Sequence, residues 1–187
     1  MTVIIKPGVG HLDGLYSKFV YETLPFWHAI KVTPNILTTF GLISSIACVY
    51  FIYKRNTPLA ILFLLLRMYF DYADGLTARR YNQTTKIGDW YDHIVDVCFF
   101  SIPLLIVLFM TKHRWLYLIP VIIFMFTTFI NIGCIEKLYN EKTGNGGKSL
   151  EIVQNFCFYP EVFQWLDNSL LYIVIIIVII ILCHKEK

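Results

Sequence analysis

Asp71, Asp74, Asp89, Asp92 and Asp96 lie inside or beside segments otherwise apolar enough to span a bilayer. An uncompensated ionised aspartate near the middle of a membrane helix costs on the order of 2.5–3.5 kcal/mol. A chain carrying several of them is restricted to folds that gather the carboxylates around a partner instead of scattering them toward lipid. The spacing indicates how they gather. Read as helix, Asp71, Asp74, Gly75 and Ala78 fall at i, i+3, i+4 and i+7, so two carboxylates and two small residues share one face. Gly88, Asp92 and Asp96 fall at i, i+4 and i+8 on the next helix. The polar link from Arg79 to Ile87 is short enough to reverse the chain, and an antiparallel helical hairpin would then bring Asp71, Asp74, Asp92 and Asp96 together.

Convergent carboxylates repel one another, and the simplest neutraliser is a hard divalent cation that prefers oxygen: Mg²⁺, Mn²⁺ or Ca²⁺ rather than zinc. A pair of such ions is a common device for phosphoryl transfer, because it offsets charge on the attacking and leaving oxygens. Gly75 and Ala78 allow a ligand close to the backbone, and Arg79 and Arg80 sit where a diphosphate would. The residues thus read as a site for metal and pyrophosphate. The competing reading of such carboxylates is a proton or cation path in a small transporter.

The series Asp71-x-x-Asp74-Gly75-x-x-Ala78-Arg79, followed by Gly88-x-x-x-Asp92-x-x-x-Asp96, resembles the signature of the CDP-alcohol phosphotransferase family of integral membrane enzymes, also called class-I CDP-alcohol phosphatidyltransferases. Every fixed position of that signature is filled, which leaves the transporter as a remote alternative. The resemblance implies transfer of a phosphoalcohol from a CDP-alcohol to an acceptor alcohol, with release of CMP. It implies two Mg²⁺ or Mn²⁺ ions on Asp71, Asp74 and Asp92, with Asp96 a further ligand or the general base that activates the acceptor hydroxyl. Gly75, Ala78, Arg79 and Gly88 would belong to the substrate-binding part, the first three holding the cytidine diphosphate. Cytidine enters only through this resemblance; a homodimer is likewise implied by the family alone.

At 187 residues and 57% hydrophobic, the chain is too apolar for a soluble domain. The expected fold is an all-α integral membrane bundle of about six transmembrane helices preceded by an amphipathic interfacial helix. A net charge of +3 gives no reason to expect nucleic acid as a partner. The cysteines are scattered singly, so neither a disulfide framework nor a zinc site is expected. Residues 1–33 mix Leu15, Phe19, Phe26 and Trp27 with Lys18, Glu22 and Lys31, which suits an interfacial helix and argues against a cleavable signal peptide. Residues 34–187 would form the catalytic domain, with Thr33 as cap and Pro34 in the first turn. Helices are expected near 36–53, 58–78, 89–110, 115–135 and 170–183, with 150–167 a degenerate sixth. Thr127, Thr128, Asn131 and Glu136 would lie near the cavity or bond between helices, and residues 141–149 read as a flexible loop rather than a phosphate loop.

Lys6, Lys18, Lys31, Arg79, Arg80, Lys86, Lys137, Lys142 and Lys148 would lie on the active-site side, against Lys54, Arg55, Lys112 and Arg114 opposite. That excess predicts a cytosolic active site, in an endoplasmic-reticulum-type membrane if the host is eukaryotic. Gly14 to Val20, Pro25-Phe-Trp27 and Thr33-Pro34-Asn35 through Gly41 resemble the choline and ethanolamine phosphotransferase branch, as do Ala78-Arg79-Arg80, Asp92-His93 and Gly41 itself. Phosphocholine or phosphoethanolamine transfer to diacylglycerol is therefore the expected reaction. The alternative is phosphatidyl transfer from CDP-diacylglycerol to inositol, glycerol phosphate or serine. His93, with an ordinary pKa of about 6.5, is a second candidate for taking the acceptor proton.

Overall fold

The computed structural model describes residues 11–110, 114–143, 154–157, 172–177 and 179–180. Among them every regular element is helical: α1 (His11–Ala29), α2 (Pro34–Tyr53), α3 (Thr57–Arg80), α4 (Lys86–Met110) and α5 (Arg114–Thr143), with 172–177 and 179–180 also helical. α5 runs well past the expected end near residue 135. Its continuation, Glu136-Lys-Leu-Tyr-Asn-Glu-Lys142, consists largely of good helix formers whose polarity marks the end of an apolar segment but does not break a helix. The helix expected at 150–167 lies outside the described residues except for 154–157, as do residues 144–149 of the loop expected at 141–149, whose first three residues belong to α5 instead.

Local chemistry sets the boundaries. Pro34 opens α2, where its missing N–H is no loss. Thr33 is extended at the N-cap, but its side chain makes no capping bond, contrary to its expected role. Asn56 does cap α3, accepting from the Leu59 N–H at 3.3 Å. Thr85 starts α4 earlier than expected, its hydroxyl accepting from the Gly88 N–H at 3.0 Å. Asp89 in the first turn of α4 suits the positive end of the helix. The ends of α1, α2 and α3 close in one way. Lys31, Arg55 and Asn82 adopt left-handed backbone at φ 59°, 56° and 53°. The next residue in each case donates back five residues, Val32 to Trp27, Asn56 to Phe51 and Gln83 to Ala78, at 3.0, 2.9 and 2.8 Å.

The chain forms two compact units. One contains α1, α2, α3, the start of α4 and the C-terminal helical residues; the other contains the rest of α4, α5 and residues 154–157. In the first, α2 and α3 pair as a hairpin and α1 lies on α3. Val20, Tyr21 and Leu24 of α1 bury against Leu37 of α2 and Ala73 and Leu76 of α3. Thr23 and Trp27 add hydrogen bonds to the Tyr69 hydroxyl at 2.6 and 2.8 Å.

In α2, Thr38, Gly41, Ser44, Ser45 and Cys48 face inward beside Leu37 and Ile52, while Ile36, Ile43, Ile46, Tyr50 and Tyr53 face out. The buried hydroxyls bond one turn back, Ser44 to the Phe40 carbonyl at 2.8 Å and Ser45 to that of Gly41 at 2.9 Å. Small residues inside and large apolar residues outside is the pattern of helices packing in lipid. Among the described residues α2 is the one helix long and apolar enough to cross a membrane by composition. In α3, Arg67, Asp71 and Asp74 interrupt an otherwise apolar run.

In the second unit, Cys134 of α5 and Cys157 form a buried disulfide with Cα atoms 5.1 Å apart. The scattered cysteines had indicated no pairing. The helix register of α5 brings Cys134 to a segment 23 residues away, a tertiary outcome that spacing does not encode. Lys137 Nζ donates to the Cys157 carbonyl at 3.3 Å and holds the same junction.

Candidate functional site

In the first unit the site grows from the antiparallel register of α2 against α3. Thr38 Oγ1 donates to Asp74 Oδ2 at 2.6 Å, with both residues buried. One turn along α2, Gly41 faces Arg67; a Cβ at Gly41 would stand 3.3 Å from Arg67 Nη1 and 3.6 Å from its Cδ. Arg67, 1% exposed, donates from Nη1 to Asp71 Oδ1 at 2.9 Å across one turn of α3. The carboxylates of Asp71 and Asp92 both lie within electrostatic reach of Asp74. Asp71 of α3 and Asp92 at the start of α4 thus both neighbour Asp74.

Gly75 and Arg79 form a second glycine–guanidinium pair, since a Cβ at Gly75 would meet Arg79 Nη1 at 3.3 Å. Ala78 sits half-buried on the same helix. Gly88 has another use. A Cβ there would come within 2.8 Å of Asn35 Oδ1 and 2.9 Å of Thr85 Oγ1, so the missing side chain lets α4 begin directly against α2. Thr39 and Tyr91 join the same two helices through their hydroxyls at 3.1 Å. The structure therefore places Gly88 in the packing of the site's walls.

Within α4, Asp92, His93 and Asp96 offer ligand atoms all within 4.8 Å of one another. A helix turns about 100° per residue, yet the reach of the imidazole brings His93 into the group. Carboxylate oxygens beside an imidazole suit a divalent cation. α1 contributes Tyr16. Burial, with Tyr69 and Asp71 beside it, pushes this phenol up to about 12.

Sequence reasoning missed Thr38, Tyr16 and the seat of Arg67. The signal for the first and last was present as polar residues in apolar helices, but their partners lie dozens of residues away.

The family model described as CDP-alcohol phosphatidyltransferase matches residues 31–183. The chain belongs to that family. Its members are membrane proteins and transferases. The chain is 37% identical over 85 residues to an uncharacterized protein of Aquifex aeolicus (strain VF5), a match covering 46% of this chain and 43% of that one. It is 34% identical over 92 residues to the CDP-diacylglycerol–glycerol-3-phosphate 3-phosphatidyltransferase of the same organism, covering 49% and 50%. It is 32% identical over 93 residues to cholinephosphotransferase 1 of Danio rerio, covering 44% and 23%. The matched stretch thus spans half or less of each relative. No solved structure matches. The phosphatidyltransferase and the cholinephosphotransferase are named for different transferred groups, so similarity shows the family and leaves the substrate open.

Proposed function

We propose that this chain is a divalent-metal-dependent membrane enzyme that transfers phosphocholine or phosphoethanolamine from its CDP form to diacylglycerol and releases CMP. The observation that carries the reading is the gathering of Asp71, Asp74 and Asp92 in an apolar helical unit, with the Arg79 guanidinium over Gly75 on the same helix. Asp71, Asp74, Asp92 and Asp96 are the residues that would hold Mg²⁺ or Mn²⁺. When bound, such ions offset charge on the attacking and leaving oxygens.

The chain's own groups do the rest. Arg79 pairs with the diphosphate, for which its planar fork is suited. The acceptor hydroxyl oxygen forms a bond to the phosphorus bearing the alcohol, the bond from that phosphorus to the bridging oxygen breaks, and CMP leaves with the electron pair. The acceptor proton passes to the Asp96 carboxylate or the His93 imidazole. Apolar outer faces of α2 and α3 exclude water and keep the acceptor lipid at hand.

The same chemistry with CDP-diacylglycerol as donor is the second reading, favoured by the 34% identity to the Aquifex phosphatidyltransferase. The active site is placed on the cytosolic side and the working form is a homodimer. Lys137 and Lys142 at the C-terminal end of α5 fall on that same side, where a disulfide such as Cys134–Cys157 is uncommon, so the placement rests on the excess of Lys and Arg alone. Labelling a cysteine introduced at Gln83 from either side of sealed vesicles decides the orientation.

A transfer assay on protein in lipid with Mn²⁺ or Mg²⁺, offering radiolabelled CDP-choline, CDP-ethanolamine and CDP-diacylglycerol in parallel, tests the reaction. Product from either of the first two with diacylglycerol is the expected result. Product from CDP-diacylglycerol alone overturns the donor, and silence from all three overturns the activity.

A further inference from the structure

Arg67 has no part in the chemistry described so far, yet it is among the most deeply buried side chains of the first unit. A guanidinium among apolar helices is costly unless paired, and this one is paired within its own helix to Asp71. An ion pair of this kind could serve packing alone. Two observations argue for more.

The first is the seat. Gly41 leaves a slot on α2, and the group filling it is the guanidinium end of Arg67, with Nη1 at 3.3 Å from the missing Cβ. A Cβ there would also meet Arg67 Cδ and Phe70 Cβ, each at 3.6 Å, but the first atom it reaches is the nitrogen that binds Asp71. The second is register. Thr38, one turn before Gly41, holds Asp74, so adjacent turns of α2 fix adjacent carboxylates of α3, one through a hydroxyl and one through a seated cation.

We propose that Arg67, seated by Gly41, is a positioning residue of the transfer site: it fixes the Asp71 carboxylate and supplies the countercharge that sets how tightly the carboxylates hold a cation. The inference rests on the proposed function. By engaging Oδ1, Arg67 fixes the orientation of the Asp71 carboxylate and occupies one of the lone pairs it could offer a cation. By adding one positive charge, it keeps the cluster from binding a divalent ion so strongly that the diphosphate cannot share it.

The test measures Mn²⁺ binding by electron paramagnetic resonance, and kcat and KM for the CDP-alcohol, on full-length protein in lipid. Arg67→Met is expected to tighten Mn²⁺ binding at least about fivefold, by removing a neighbouring charge, while kcat falls about tenfold or more. Arg67→Lys is expected to restore wild-type Mn²⁺ affinity with only part of kcat, because lysine keeps the charge and loses the fork. Gly41→Ala keeps every charge and moves the guanidinium by a few tenths of an ångström. It is expected to lower kcat roughly threefold or more with Mn²⁺ affinity unchanged, and it decides the matter if Arg67→Met does not fold. Folded Arg67→Met with wild-type Mn²⁺ affinity and kcat would show a structural ion pair only and overturn the proposal, as would wild-type kcat in Gly41→Ala. Wild-type protein that neither binds Mn²⁺ nor turns over a CDP-alcohol overturns the functional reading and this one with it, whereas an active wild type with indifferent variants overturns this one alone.

Discussion

Replacing Thr38 by valine removes one hydroxyl and preserves side-chain shape, so its effect reports on that hydroxyl, whose shorter bond is to Asp74. That bond runs 2.6 Å from Thr38 Oγ1 to Asp74 Oδ2, with the two residues 2% and 4% exposed. Water has little access to take the hydroxyl's place. Hydrogen bonds to charged groups contribute about 1.5–3 kcal/mol, and the isosteric change opens no cavity, so a loss of about 2 kcal/mol is expected. Thr38 also bonds the Pro34 carbonyl at 3.2 Å, a contact an α-helix does without. For a chain of this size the loss corresponds to roughly 4–8 °C in Tm. Circular dichroism melts in lipid nanodiscs without added metal measure it, with Thr38→Ser as the control that keeps the hydroxyl. Saturating Mn²⁺ is expected to recover part of the difference, because a cation compensates the same carboxylate. A valine variant whose Tm and kcat both match wild type would refute the claim that α2 holds Asp74 in place.

Other outcomes follow from the same geometry. Asp92→Asn and Asp96→Asn are each expected to reduce CMP release to background while leaving the protein membrane-integrated; retained activity in either counts against the metal-site assignment. Chelation with EDTA is expected to stop transfer, and readded Mn²⁺ or Mg²⁺ to restore it, in the radiolabel assay. Gly88→Ala puts a methyl 2.8 Å from Asn35 Oδ1 and 2.9 Å from Thr85 Oγ1 and is expected to lower Tm, with Asn35→Ala recovering only the part due to Asn35 in the double variant. Arg55→Gly relieves a left-handed backbone position and is expected to stabilise the chain by about 0.5–1 kcal/mol in a denaturant or thermal titration.

Much of the site was legible because a helix converts spacing into faces. Asp71 and Asp74 at i and i+3, then Asp92 across a short polar link, required only that the segments be helical and antiparallel. The apolar runs and Pro34 and Pro58 marked helix starts to within a few residues. What stayed hidden depends on contacts between elements. Nothing near Gly41 announces that its slot receives a side chain from residue 67, and nothing near Thr38 points to residue 74. Gly88 stood out through the motif, but its tight approach to Asn35 of α2 is a further relation that spacing alone does not carry. The Cys134–Cys157 link depends on where α5 delivers one face, and the extra turns of α5 were missed because polarity was taken for an ending.

Lys31 and Arg55, the residues that turn the chain at either end of α2, are exposed cations about 20 residues of helix apart. At about 1.5 Å per residue that separation is close to 30 Å, the thickness of a hydrocarbon core. In the membrane placement proposed here, each turn would anchor at a headgroup layer, and α2 would act as a gauge of bilayer thickness. Because α2 also carries Thr38 and the Gly41 slot, a thinner or thicker bilayer would tilt the element that aligns Asp74 and Arg67. Lipid chain length would then enter the rate of the enzyme through its scaffold, separately from any effect on the acceptor.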